Sequence, residues 1–188
     1  MSSLFKSTKN TRIVPGFAEY IRSDLPQKLT DNEIDWLISY GVRTLIDLRS
    51  KDEYEKWPCC LEHDNRFTIM HMPLLENIKE AKCEADMSEV YRNMLNDNLT
   101  NILDTMLNLP GRVMYFCYTG KDRTGVVTAM LMRRFAVSPS KIAKDYMQSK
   151  VEMEQWIVDF CNRNPEHKLE VCMPNIKFIQ PILDGAIM

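Results

Sequence analysis

The chain has 188 residues, a formal net charge of -2, and 45% hydrophobic against 27% charged residues. These values predict one globular domain over residues 1–188 and argue against a strongly basic nucleic-acid binder. No apolar run is long enough to span a bilayer and residues 1–12 carry no secretory pattern, so the expected location is the cytoplasm, without integral membrane association.

In chain order, Thr30-Asp31-Asn32-Glu33 spells a capping box: Thr30 accepts from first-turn amides while Glu33 reaches back. Ile34, Leu37 and Ile38 give the helix its apolar stripe, and Gly41 stops it. Residues 42–48, rich in β-branched side chains, predict a buried strand, and 67–72 a second, ended by Pro73. Residues 86–107 read as one long amphipathic helix, because Val90, Tyr91, Met94, Leu95, Leu99, Ile102, Leu103, Met106 and Leu107 keep three-four spacing. Pro110-Gly111 breaks it. Residues 113–117 predict a third strand and 125–135 a helix. Ser138-Pro139 opens another helix as N-cap and first-turn proline, with separate helical segments near 151–162 and 175–184. Strands alternating with helices imply an α/β fold, a central mostly parallel sheet flanked by helices. Ligands of such folds sit at the carboxyl ends of the strands.

The six cysteines are Cys59, Cys60, Cys83, Cys117, Cys161 and Cys172. In a chain without a secretory signal they read as free thiols. Cys59, Cys60, His63 and His71 match no standard zinc spacing, so no metal and no cofactor are expected. Gly120-Lys121 is no nucleotide loop either. Asp122 stands where that loop needs Ser or Thr, and Tyr115 where it needs its first Gly.

The segment Cys117-Tyr118-Thr119-Gly120-Lys121-Asp122-Arg123-Thr124-Gly125 leaves a buried strand and enters a helix within a few residues. Amides of Tyr118, Thr119, Gly120, Lys121, Asp122 and Arg123 can then converge as an anion nest backed by the helix N-terminus. Gly120 permits a conformation other residues resist, and Arg123 can offer two parallel donors to a phosphate. Those donors favour the thiolate of Cys117, whose attack on phosphorus would give a phosphocysteine. Thr124 is placed to hydrogen-bond the sulfur. An acid must protonate the departing oxygen; Asp122 in the loop is the first candidate and Asp47, at the end of another strand, the second.

With these residues the chain resembles the protein tyrosine phosphatase superfamily, and within it the atypical bacterial branch whose loop reads His-Cys-x-x-Gly-Lys-Asp-Arg-Thr-Gly. Tyr20-Ile21-Arg22-Ser23, Ile46-Asp47-Leu48-Arg49-Ser50 and the acidic run Asp52-Glu53-Tyr54-Glu55 extend the resemblance over roughly residues 12–146. It implies a phosphatase fold of dual-specificity size, catalysis through Cys117 and Arg123, and Asp122 as general acid. The substrate it implies is a phosphorylated protein, phosphotyrosine foremost, or a phosphoinositide that Lys121 would favour. The residue before the nucleophile is Phe116 where the branch has His. The alternative readings are therefore a phosphoinositide phosphatase and a phosphate-binding pseudophosphatase. A rhodanese-type sulfurtransferase would not require the Arg123-Thr124-Gly125 ending.

Overall fold

The computed structural model describes residues 3–76 and 81–185. A five-stranded sheet runs in the order β1-β2-β5-β3-β4, formed by β1 Arg12–Val14, β2 Phe17–Ser23, β3 Val42–Asp47, β4 Thr68–His71 and β5 Arg112–Phe116. Only the β1–β2 pair is antiparallel; β2–β5, β5–β3 and β3–β4 are parallel. The mostly parallel α/β layer fold holds, with β1 and β2 added ahead of the elements read from sequence. Their short alternation hides because β2 ends on buried polar residues, Arg22 and Ser23.

Period-two alternation sends β5 side chains into two cores. Val113, Tyr115 and the following Cys117 enter the larger one, beneath α3 Glu84–Asn93, α4 Asp97–Asn108, α5 Arg123–Arg134 and α6 Pro139–Arg163. Met114 and Phe116 enter the smaller one, packed with Leu37 of α1 Asp31–Tyr40. Helix α1 forms as its capping box predicts. Glu33 N donates to Thr30 Oγ1 at 3.3 Å, Thr30 N donates back to Glu33 Oε2 at 2.9 Å, and Gly41 closes the helix at φ 90°.

Two helical boundaries differ from the sequence reading. Residues 86–107 are not one helix: α3 ends at Asn93, and α4 restarts after Asn96, whose side chain accepts from Leu99 N. The apolar spacing runs through the break, so periodicity alone does not reveal it. Conversely, the segments at 139 and 151–162 are one 25-residue helix, α6. Within the join Asp145 and Ser149 are buried against Arg12 and Arg22. A short helix α2, Lys51–Lys56, follows β3, and the chain closes with α7 Leu169–Cys172, a 3-10 turn Ile176–Ile179 and α8 Gln180–Leu183. No described helix is long and apolar enough to cross a membrane.

Candidate active site

The loop of residues 117–122 joins β5, the central strand, to α5 at the carboxyl end of the parallel strands. Three successive loop carbonyls are each taken by a donor from the amino-terminal segment. Leu25 N donates to Tyr118 O at 3.1 Å, Asn10 Nδ2 to Thr119 O at 3.1 Å, and Arg22 Nη2 to Gly120 O at 2.8 Å. In a planar trans peptide the following N–H points the opposite way. The amides of Thr119, Gly120 and Lys121 are thereby turned from that segment, as an anion nest requires. Gly120 sits at φ 68°, and a Cβ there would lie 2.5 Å from Asp24 N and 2.6 Å from Ser23 C and O. The loop is thus pressed against backbone that no side chain could share.

Arg22 is itself anchored. It is fully buried and ion-paired with Asp145 of α6, which also accepts from Arg12 Nε at 3.0 Å. Burial alone would raise the Asp145 carboxyl; the charges of Arg22 and Arg12 and their hydrogen bonds outweigh it and hold it below its ordinary value.

Cys117 directly follows β5, is 2% exposed and packs with the larger core. Thr124 Oγ1 is buried without a hydrogen-bond partner, so the expected bond to sulfur is not formed in this structure. Phe116 points into the opposite core with the Arg49 guanidinium 5.5 Å above its ring.

Arg123, the first residue of α5, forks onto Glu53 of α2: Nη1 donates to Oε2 at 2.5 Å and Nη2 to Oε1 at 2.7 Å. A guanidinium has five donors; the Glu53 fork occupies two and leaves three. Burial disfavours its charge, yet the Glu53 hydrogen bonds and the nearby Cys117 and Asp122 keep Arg123 firmly protonated. Burial likewise works against the Glu53 carboxylate, but Arg123 and the Ser50 amide hold it below its ordinary range. Glu53 also closes a capping box, accepting from Ser50 N at 3.0 Å, so the helix start fixes the carboxylate that fixes the arginine.

Asp122 accepts from Tyr91 Oη at 2.6 Å and from Lys121 Nζ at 2.8 Å on Oδ1, and lies 2.7 Å from the same ammonium through Oδ2. The Tyr91 and Tyr146 hydroxyls are 2.7 Å apart. Because Tyr91 gives its proton to Asp122, Tyr146 is the donor between them. Burial and then the Asp122 charge push the Tyr91 phenol well above its ordinary value, so it keeps that proton. Asp47 is placed otherwise. It is fully buried, with Arg49 Nε on Oδ1 at 2.8 Å and Arg49 Nη2 on Oδ2 at 2.6 Å. Sequence reasoning gathered the loop residues but missed Glu53, Tyr91, Arg22 and Asp145 as their partners. The Ser50-x-x-Glu53 spacing was the one local signal for any of them.

The sheet and loop together define an α/β protein in which a tight turn beginning at a buried cysteine joins the central strand to a helix. Residues 6–183 match the model of the tyrosine phosphatase family, and the chain belongs to that family. A tyrosine-protein phosphatase of Nostoc commune is 27% identical over 145 residues, covering 72% of this chain and 49% of its own. The chain therefore spans about half the length of that curated relative. Similar solved structures include TpbA of P. aeruginosa, 18% identical with a TM-score of 0.48 over 93% of this chain and 96% of that one. Human DUSP28 is 13% identical, TM-score 0.47, over 98% and 95%.

Proposed function

We propose that residues 1–188 form a single catalytic domain, a cysteine-dependent phosphomonoesterase that prefers phosphotyrosine. The observation that carries this reading is the loop itself: three carbonyls tied to the amino-terminal segment, and an arginine with three spare donors near Cys117. In the first step the Cys117 thiolate forms an S–P bond as the P–O bond to the leaving group breaks, and Asp122 gives its proton to that oxygen. Backbone amides and Arg123 hold the three equatorial oxygens, where charge is spread in the transition state. In the second step water attacks phosphorus, Asp122 takes back a proton, and the S–P bond breaks to release phosphate and thiolate. The buried, unpartnered Thr124 hydroxyl is then free to donate to the departing sulfur. Water, side chains and amides suffice for every step.

Asp122 is favoured over Asp47 as the acid because it belongs to the loop and its side chain is partly exposed, whereas Asp47 is fully buried against Arg49. Lys121, the loop feature that would favour phosphoinositides, is 6% exposed and bound to Asp122, which supports the phosphotyrosine preference.

Aryl phosphate hydrolysis tests the assignment. Cys117→Ser is expected to abolish turnover while retaining phosphate binding. Asp122→Asn should lower kcat by about 10²–10⁴ without loss of fold. Asp47→Asn should instead cost about 3–5 kcal/mol in thermal or denaturant unfolding, because it strands the Arg49 charge. If Asp47→Asn were the slower and equally stable variant, the acid would be reassigned. Protein that binds vanadate yet hydrolyses no aryl phosphate between about pH 5 and 8 would be a pseudophosphatase, with Phe116 as the feature to examine.

Tyr91→Phe removes the donor to Asp122 and, with it, the acceptor of the Tyr146 hydroxyl. Turnover of phosphotyrosine, whose phenol has a pKa of about 10, should fall about tenfold. A dinitrophenyl phosphate, whose leaving group needs no proton, should react within about twofold of wild type. Equal losses on both substrates would reduce Tyr91 to a packing residue.

A further inference from the structure

Helix α2 carries Glu53, the partner of Arg123, yet it has six residues and none of its side chains is buried. A helix that short does not persist on its own, so tertiary contacts must hold it. At its carboxyl end Arg49 Nη1 donates to Trp57 O at 2.6 Å. At its middle Tyr54 stacks on the His71 ring, with centroids 3.9 Å apart and planes inclined by 29°. His71 ends β4 and pairs in register with Asp47 of β3, the strand from which α2 departs. The chain after β3 thus folds back over the end of β4, where Tyr54 meets His71. We infer that His71 is a positioning residue for the anion site: its ring is the platform that seats Tyr54, so that Glu53 holds the Arg123 guanidinium in place beside the loop. The inference rests on the phosphatase reading above and deepens it by naming what fixes the arginine's partner.

The platform is itself fixed. The Glu62 carboxylate accepts from His71 Nε2 at 3.0 Å. Nδ1 is buried without a hydrogen-bond partner, 3.8 Å from Asp47 Oδ2. Asp47 is not free to swing toward it, because Arg49 holds both of its oxygens. One ring edge is therefore bonded, the other is walled by a locked carboxylate, and a face remains for Tyr54. Aromatic rings pack favourably in offset stacks, and both of these rings have few rotatable bonds. Arg49 serves both supports of α2, since it holds Asp47 beside His71 and Trp57 O at the helix end. The influence of His71 on the site runs through Tyr54 and Glu53.

A double-mutant cycle tests the route. Cys117→Ser protein is titrated with inorganic phosphate by calorimetry, whose stoichiometry gives affinity per folded molecule. The same titration is run with His71→Ala, His71→Phe or Tyr54→Ala added, each with Glu53 intact and again with Glu53→Gln. His71→Ala should weaken phosphate binding about tenfold, the scale of one charged hydrogen bond lost. Tyr54→Ala removes the same stack from a partly exposed position and should give the same loss, which keeps the test open if His71→Ala folds poorly. His71→Phe keeps a ring beneath Tyr54 and should stay within about twofold of the parent. With Glu53→Gln in place, His71→Ala should add less than about threefold, since the link to Arg123 is already loosened. Equal losses in both backgrounds, His71→Phe as weak as His71→Ala, or an affinity that none of these changes moves overturns the role, even if the chain with Cys117 hydrolyses aryl phosphates. The full pattern, in a chain with Cys117 that turns nothing over, leaves His71 in its role and removes the phosphatase reading instead.

Discussion

Gly120→Ala is expected to remove activity and lower stability together. At φ 68° an added methyl costs about 1–2 kcal/mol from the left-handed backbone alone. The same methyl would meet Asp24 N at 2.5 Å and the Ser23 carbonyl at 2.6 Å. These are backbone atoms at the end of a buried strand, with no flexible side chain to swing aside, so overpacking adds a further penalty of about 1–3 kcal/mol. The sum, about 2–5 kcal/mol, corresponds to a fall in Tm of roughly 5–15 °C for a chain of this length. The loop can avoid the clash only by leaving the Ser23–Asp24 segment, which breaks the Arg22 hydrogen bond to Gly120 O and turns the neighbouring amides out of register. A displacement of about 1 Å is enough to cost about 100-fold in kcat/KM. Steady-state kinetics on an aryl phosphate and a thermal melt check both halves. A variant of wild-type stability and near-wild-type rate would show that the loop is not held against this segment during turnover.

What could be read ahead of the structure divides by distance along the chain. The loop from Cys117 to Gly125 is contiguous, so strand, turn and helix signals adjoin one another and its local geometry is legible. The capping box of α1 is equally local. The break at Asn96 and the continuity of α6 were misread for one reason: an apolar stripe reports which face is buried and is silent on whether the axis continues. At Asn96 a polar N-cap interrupts a stripe that carries on, and at Ser149 a buried hydroxyl sits where the stripe predicts an apolar side chain. The partners that aim the loop are long-range. Glu53 is 70 residues from Arg123, Tyr91 is 31 from Asp122, and Arg22 is 98 from Gly120. Arg22 and Asp145 are charges, and charged side chains are seldom fully buried. Nothing in a single sequence marks them as an interior pair. The family resemblance flagged Arg22 and Glu53 as familiar segments, but only the fold supplies what each one holds.

Asp145→Asn should show how far that interior pair governs the site. Asp145 is the shared anion of Arg12 and Arg22, and its removal leaves two guanidinium groups short of a counter-charge in a dry interior. Breaking a buried pair on one side costs about 3–5 kcal/mol, and the amide restores only part of the hydrogen bonding. The pH dependence identifies the cause. The folded carboxyl lies below its ordinary value. Its contribution is therefore fully present above the unfolded pKa of about 4, and is lost as pH falls through the lower folded value. The stability gap between wild type and Asp145→Asn should be widest and flat near neutral pH, then close as pH drops below about 4. A gap independent of pH across that window would mean that the loss came from packing. Activity should follow the same chain of contacts. Arg22 loses its anchor, Gly120 O loses a fixed donor, and kcat falls by a larger factor than the folded fraction does. A variant whose kcat per folded molecule equals wild type would confine the Arg12–Asp145–Arg22 network to stability and leave the loop to be positioned by Asn10 and Leu25 alone.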